Sequence, residues 1–494
     1  MLARLSGAMV VVLTLVVAFR FVESTPIRPP DTTKQVGLSS DATVLGIRAF
    51  KTARVNHPGR ALGLAKRAAT TTTPIFTTTT VIAAPTPTTA PVTTAPVTTA
   101  PVTTAPVTTA PVTTAPVTTA VATTTPSTTA APTTTATPTT TVAPSGAPAG
   151  AVVIQPGANV QAVVDSKPAG STFYFVAGVY RGQTVKPRNG DVFLGQPGAV
   201  LNGEDQIQFA FRSTASNVTI RGLVIEKYAN PAQTGAIEGA GSAWTIVGNE
   251  IRYNWGAGIT LGNGYRVIGN NIHHNRQIGV KGRGDNILIE DNEIAFNNFR
   301  DDYEMSWEAG GTKFLKTTNL IVRGNFVHDN HGHGLWTDDS NRGTLYENNV
   351  VLNNYGSGIF HEISFNAVIR NNRVEGNAFP HSHGGIKVTN SDGVEVVGNV
   401  VRGNNGGIHG GQNDRGSYYL ANLWVHDNSV TFNQGWNGII VNSGGDTFYT
   451  GRNNRFDRNT YGVGGQARPF FWMNDKRTPD EWRSYGLDAN GSVG

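Results

Sequence analysis

The strongest constraint on this chain is a six-residue unit, Asn-x-[Ile/Val/Phe]-x-x-Asn, that returns through its C-terminal part. It reads Asn249-Glu-Ile-Arg-Tyr-Asn254 and recurs at Asn270–Asn275, Asn292–Asn297, Asn325–Asn330, Asn348–Asn353, Asn372–Asn377, Asn399–Asn404, Asn428–Asn433 and Asn454–Asn459. The steps between first asparagines are 21, 22, 33, 23, 24, 27, 29 and 26 residues. That is the period of a solenoid carrying one large insertion. A side-chain amide holds both donors and an acceptor, so identical asparagines ~4.8 Å apart on successive coils can bond one another. Asparagine also tolerates the left-handed backbone of a tight corner, so the ladder residues are expected to make the corners themselves.

Helical hairpin repeats are excluded, because the apolar runs are short, β-branched and punctuated by Gly and Asn. Trp244-Thr-Ile-Val, Ile287-Leu-Ile, Leu320-Ile-Val, Ala367-Val-Ile and Leu423-Trp-Val each read as a strand. A second strand follows each hexad as Gly-[Ile/Leu/Val], at Gly258, Gly279, Gly334, Gly358, Gly385, Gly407 and Gly438. Two or three strands per coil with Asn and Gly at the corners make a parallel β-helix. Of 58 glycines, 51 fall after residue 150 and mark these corners.

Residues 150–494 resemble the right-handed parallel β-helix superfamily typified by pectate lyases. A short helix over Asn159–Asp165 leads into Ser171-Thr-Phe-Tyr-Phe-Val-Ala-Gly-Val-Tyr-Arg181 and Phe193-Leu-Gly-Gln-Pro-Gly-Ala-Val-Leu201, as at that family's usual start. Thr478-Pro-Asp-Glu-Trp482 is a capping box that fits a closing helix. The expected fold class is therefore all-β: a single right-handed parallel β-helix with asparagine ladders, preceded by a disordered Thr/Pro-rich stalk. With both ends of the stack covered, a monomer is expected. The resemblance implies no one chemistry, since the family holds lyases, hydrolases, epimerases and non-catalytic spikes. His331-Gly-His-Gly334, Asp338-Asp339 and Gly385-Ile-Lys387 are similar to pieces of the polygalacturonase signature, but their order differs, so those catalytic roles do not carry over.

The N-terminal third reads as export and spacing. Leu5–Phe19 is an apolar run between Arg4 and Arg20, the mark of a signal peptide or signal anchor over residues 1–26 and the one candidate membrane tether. Residues 27–67 carry eight basic residues and read as a disordered basic segment. Residues 68–149 are an uncharged Thr/Pro/Ala stalk, with six tandem TTAPV copies over 88–117. Extended as polyproline II, it reaches roughly 250 Å. The chain's net charge of +5 divides along this boundary. Residues 1–150 hold ten basic and three acidic residues, and the rest holds 29 basic and 31 acidic. The folding part is not a polycation, which removes the argument for a nucleic-acid partner. Zero cysteines exclude a disulfide scaffold and a thiol nucleophile. A secreted or cell-surface location follows from the leader.

Taking Gly-[Ile/Leu/Val] as a ruler, the next residue forms an outward column: Thr260, Lys281, Lys313, Trp336, Phe360, Lys387, His409, Ile440. Two residues on lies a second: Gly262, Arg283, Leu315, Asp338, Glu362, Thr389, Gly411, Asn442. Carboxylates, bases and aromatics on one outward strip are rare on a plain solvated surface. The insertion Phe299–Gly311 adds Asp301, Asp302, Glu304, Trp307 and Glu308 beside it, and six of the eleven histidines (331, 333, 361, 381, 383, 409) crowd nearby. Lys313, Asp338, His361, Glu362 and Lys387 are the candidate catalytic residues, although the ruler turns His361 inward. Lys281, Arg283, Trp307, Glu308, Trp336, Phe360 and His409 are the candidate substrate contacts.

Three readings stay open. A lyase or epimerase for an acidic polysaccharide uses Lys313, Lys387 and Arg283 for positive charge and His361 or Lys387 as base, with a Ca²⁺ held by Glu308, Asp338 and Glu362 as one option for a cofactor. A glycoside hydrolase uses Asp338 and Glu362 as paired carboxylates. A non-catalytic glycan-binding or structural module is the third. Enzyme action on a polysaccharide or cell-wall glycan leads, with lyase or epimerase ahead of hydrolase.

Overall fold

The computed structural model describes residues 146–494 apart from 381, 382 and 432. The leader, basic segment and stalk expected before residue 146 lie outside the described residues. Among the described residues no helix is long and apolar enough to cross a membrane.

Each coil contributes three strands. Thr245–Val247, Glu250–Arg252 and Ala257–Leu261 form one coil. Each pairs in parallel with its equivalent in the next, through Ile246↔Val267, Ile251↔Ile272 and Ile259↔Val280. Three parallel sheets result, wrapped as a right-handed β-helix. The sheet made by the hexads runs without interruption from Gly178–Arg181 to Ser492–Val493. The sheet made by the Gly-[Ile/Leu/Val] strands is called here the cleft sheet.

The core is a set of like-on-like stacks. The hexad's apolar position runs Ile225, Ile251, Ile272, Ile294, Val327, Val351, Val374, Val401 and Val430, each pairing with the next. All are buried, and each such side chain stabilises the fold by about 1.5–3 kcal/mol.

The asparagines form two ladders. The first runs through Asn249, Asn270, Asn292, Asn325, Asn349, Asn372, Asn399, Asn428 and Asn459. The second runs from Asn254 through Asn275, Asn297, Asn330, Asn354, Asn377 and Asn404 to Asn433. Each rung is bonded three ways. Asn292 donates its backbone N–H to Asn325 Oδ1 at 3.0 Å, and its Nδ2 donates to the same Oδ1 at 3.0 Å and to Val267 O at 2.8 Å.

Two expected registers are corrected. The pair in the fifth hexad is Asn349 and Asn354, not Asn348 and Asn353. Asn459 belongs to the first ladder, so Asn454–Asn459 is not a hexad; Asn454 instead accepts from Leu423 N at another corner. The role of the asparagines in the corner is corrected too. The left-handed residue is the one before each rung, at Gly248, Gly269, Asp291, Gly324, Asn348 and Asn371, while the rungs keep ordinary backbone. An amide held by three bonds leaves the φ > 0 position to its neighbour. Before the second ladder that position holds Tyr253, His274 and Phe296 on three successive coils, where side chains of that bulk are uncommon.

The Gly of each cleft strand is required by close approach. At Gly334 a Cβ would lie 2.6 Å from Gly358 O and 3.0 Å from Asn354 Nδ2.

Both ends are closed. The helix Val160–Asp165 is capped by Asn159 and buries Val160 and Val164. At the other end Thr478 and Glu481 form the expected capping box on the helix Pro479–Ser484, whose Trp482 stacks on Phe470 at 4.7 Å. Asp488 terminates the first ladder by accepting from Asn459 N and Nδ2 at 3.0 and 2.8 Å. The last turn also holds an antiparallel pair, Phe470–Trp472 with Asp475–Arg477, that departs from the parallel stack.

Replacing a rung leaves buried groups unbonded on both neighbouring coils. Asn297→Ala is expected to lower the unfolding free energy by about 3 kcal/mol in urea titrations, while exposed Asn442→Ala changes it by less than about 0.5 kcal/mol.

Candidate active-site cleft

Cross-strand register turns the outward column into a real row. Thr260 pairs with Lys281 and Lys281 with Lys313; Trp336 pairs with Phe360, Phe360 with Lys387 and Lys387 with His409. Leu315 pairs with Asp338 and Glu362 with Thr389 in the second row. The final coil breaks the pattern: His409 faces Gly438 and Gly411 faces Ile440, so Ile440 falls in the second row instead of the first. The ladder step Asn404 to Asn433 sets that register at 29 residues, and the Gly438-Ile439 pair lies two residues beyond it.

Many of these side chains point away from the core yet are buried, Lys313 to 1 % and Trp336 to 2 % exposure, while Thr260, Leu315 and Lys387 are half-buried. Lys313 Nζ lies 2.9 Å from Asp338 Oδ2 and 3.6 Å above the Trp336 ring. Trp336 stacks on Phe360 with centroids 5.7 Å apart and planes at 13°. Lys387 Nζ sits 4.6 Å above Phe360 and 3.4 Å from His383 Nδ1. Burial raises the Glu362 carboxyl above the usual carboxylate range, with the neighbouring Asp338 adding to the shift against the pull of Lys313, Lys387 and Arg415. Burial also lowers the Lys387 ammonium, against the pull of Glu362. A carboxyl biased toward its protonated form thus lies beside an amine biased toward its neutral form, the combination general acid–base chemistry uses.

The remaining expected residues fall into three groups. Lys281 pairs with Glu308 at 2.7 Å, one coil from Lys313, so this acid faces a lysine and not the Asp338–Glu362 pair. His409 lies next to Lys387, but its ring is flat on Trp436 at 3.8 Å and its Nε2 donates to Trp436 O at 2.7 Å. Trp307 stacks on Tyr303 inside the insertion wall, and Arg283 lies exposed in a separate depression with Gly262, Asp285 and Lys316. His361 is corrected as a catalytic base. It stands in the interior between coils, fully buried, with Nδ1 2.7 Å from Thr337 Oγ1, and burial pulls its pKa down to about 3. Two residues on from the inward Ile359 the chain points inward again, so the His361 imidazole faces the core and not the outward strip. His381 lies outside the described residues.

Sequence reasoning counted His333 and His383 among the crowded histidines without giving them a role, and missed Arg415. His333 sits edge-on to Trp336 at 4.7 Å and accepts from Ser357 N at Nδ1, which puts its proton on Nε2. His383 approaches His333 at 5.6 Å. Arg415 reaches back to Glu362 Oε1 at 3.5 Å from a loop whose Tyr418 bonds Ser340 at 2.6 Å. The lengthened step of 29 residues was the available signal for that loop.

For a metal, the donors do not converge. Among the described residues no group of three or more His, Asp or Glu side chains is placed to hold an ion. Asp338 and Glu308, two of the three expected Ca²⁺ ligands, each face a lysine ammonium.

Residues 235–401 match the family model described as a right-handed β-helix region. A comparison with curated proteins finds no significant match. Solved structures with the same fold include the A-module of the mannuronan C-5 epimerase AlgE6 of Azotobacter vinelandii, at 19 % identity and a TM-score of 0.44 over 68 % of this chain and 93 % of that one. XylC in complex with xylose aligns at 13 % identity and a TM-score of 0.50, over 68 % and 82 %. The DFA-IIIase of Arthrobacter chlorophenolicus A6 in complex with GF2 aligns at 11 % and 0.37, over 61 % and 83 %. At these identities the likeness is one of fold.

Two outcomes follow. Lys313→Met alone removes the ammonium that the buried Asp338 carboxylate faces and is expected to cost about 3–5 kcal/mol, most of it recovered in the Lys313→Met/Asp338→Leu double variant, read by urea unfolding. His361, neutral in the fold with a pKa of about 3 against 6.5 unfolded, opposes folding once protonation is favoured. Stability is then full above pH 6.5 and falls as pH drops toward 3. His361→Leu is expected to reduce the slope of that acid limb by about 1.4 kcal/mol per pH unit.

Proposed function

We propose that this β-helix acts on an acidic polysaccharide, as a lyase or epimerase. The observation that carries the reading is the cluster of buried Lys313, Asp338 and Glu362 with half-buried Lys387, held around two stacked aromatic rings. The paired rings hold Lys313 and Lys387 in place by cation–π contact, and Lys313 and Arg415 attract a uronate carboxylate and stabilise the charge that grows on it when C5 loses its proton. Lys387, biased toward the neutral amine, takes the C5 proton. Glu362, biased toward the acid, gives a proton to the oxygen leaving C4 as the C4–C5 double bond forms, or to C5 itself in epimerisation. Lys313 stays paired with Asp338 and holds that charge in place.

Hydrolysis is the second reading. Asp338 and Glu362 neighbour one another on adjacent coils, and the charge of Asp338 contributes to the raised Glu362 pKa, which suits one carboxylate acting beside one acid. The names of two structural neighbours, a mannuronan epimerase and a protein holding xylose, are consistent with a glycan partner. In this reading residues 1–145 export the β-helix and space it from the cell surface.

The full-length protein, incubated with pectic, alginate and neutral polysaccharides, is expected to yield unsaturated uronates or a changed uronate composition. New reducing ends without unsaturation would replace elimination by hydrolysis, and binding without any product would leave a glycan-binding module. Glu362→Gln and Lys387→Ala are each expected to lower kcat/KM by at least ~100-fold, with Tm within about 3 °C of wild type.

A further inference from the structure

Upstream of Lys313 the same outward row continues through Lys281, which is paired with Glu308, and then Thr260 and Glu238. Three buried polar atoms meet no hydrogen-bond partner within the protein here: Glu238 Oε2, Thr260 Oγ1 and Gln233 Nε2. Glu238 and Thr260 are cross-strand partners on one face, and Gln233 is tied to the same row because its Oε1 accepts from Lys281 Nζ. Gln277 fixes this wall by accepting from Gln233 N at 2.7 Å and donating to Glu308 O at 2.9 Å. Buried polar atoms are almost always bonded, and three unbonded ones along one cleft wall call for a ligand that supplies the bonds.

We propose that Glu238, Thr260 and Gln233 form a distal subsite that reads the hydroxyl face of a sugar unit two to three units along the chain from the reacting bond. This rests on the polysaccharide reading above and adds where the polymer runs and how it is gripped. An acceptor, a hydroxyl and an amide donor together match two neighbouring sugar hydroxyls, each of which donates once and accepts once. Thr260 lies two coils and Glu238 three coils from Lys313, about 10 and 14 Å at strand spacing. Burial raises the Glu238 carboxyl, against the pull of Arg212 and Lys281, so the acid presented to an acidic polymer carries less repulsive charge. Glu238 escapes the Gly-[Ile/Leu/Val] ruler because Ala236 stands where the other coils have glycine.

The test is titration calorimetry on the full-length protein with oligogalacturonates and oligomannuronates of about three and about six units, long enough in the second case to span three coils. Wild type is expected to bind the longer oligomer about 5- to 10-fold tighter than the shorter. Thr260→Val, which keeps the shape, and Glu238→Gln, which turns an acceptor into a donor, are each expected to erase most of that gain and leave the short-oligomer affinity unchanged. Wild type binding both lengths equally, or variants that keep the gain, would overturn the subsite alone. No binding of either oligomer, with no turnover of any acidic polymer, would overturn the function and the subsite with it.

Discussion

Everything in this molecule depends on one coil sitting in register on the next. Parallel strands stack at ~4.8 Å, and at two corners an asparagine bonds the coil after it through backbone and side chain together. A shift by one residue would break three bonds per rung and turn every core residue outward, so register is held strongly. Because register is held, a side chain placed on one coil lies beside its counterpart on the next, and a row of residues far apart in sequence becomes a surface. The cleft is a consequence of the ladders.

The same constraint explains what was legible in the sequence. Fold class followed from the hexads, since a repeated amide pair has few other uses, and the cleft columns followed from the strand period. Errors arose where a choice of one or two residues was open. Asn348 and Asn349 are adjacent, and only the bonding of Asn325 and Asn372 selects Asn349. Gly438-Ile439 repeats the motif but lies off the register that Asn404 and Asn433 impose. What was illegible was covering. That outward lysines and aromatics would be buried depends on loops such as the one carrying Arg415, which reaches back to Glu362 and shows in the sequence only as one lengthened step.

The cleft is an expensive arrangement for folding alone. Lys313, Asp338, Glu362 and Lys387 are charged or chargeable groups taken out of water, and apolar residues would stack there at lower cost. Their burial lowers Lys387 and raises Glu362, bringing acid and base toward each other in proton affinity. His361 shows the contrast, since it fills a core position as a neutral ring bonded to Thr337. In the function proposed above, the strip is where chemistry on an anionic polymer takes place.

The most direct test is a crystal structure of the full chain's β-helix with an acidic oligosaccharide bound to an inactive Glu362→Gln variant. The account predicts a sugar unit against Glu362 and Lys387, its carboxylate facing Lys313 or Arg415 and its chain running toward Thr260. A glycan bound only elsewhere, such as on the exposed corner of Tyr253, His274 and Phe296, with the cleft closed to it, would contradict the account.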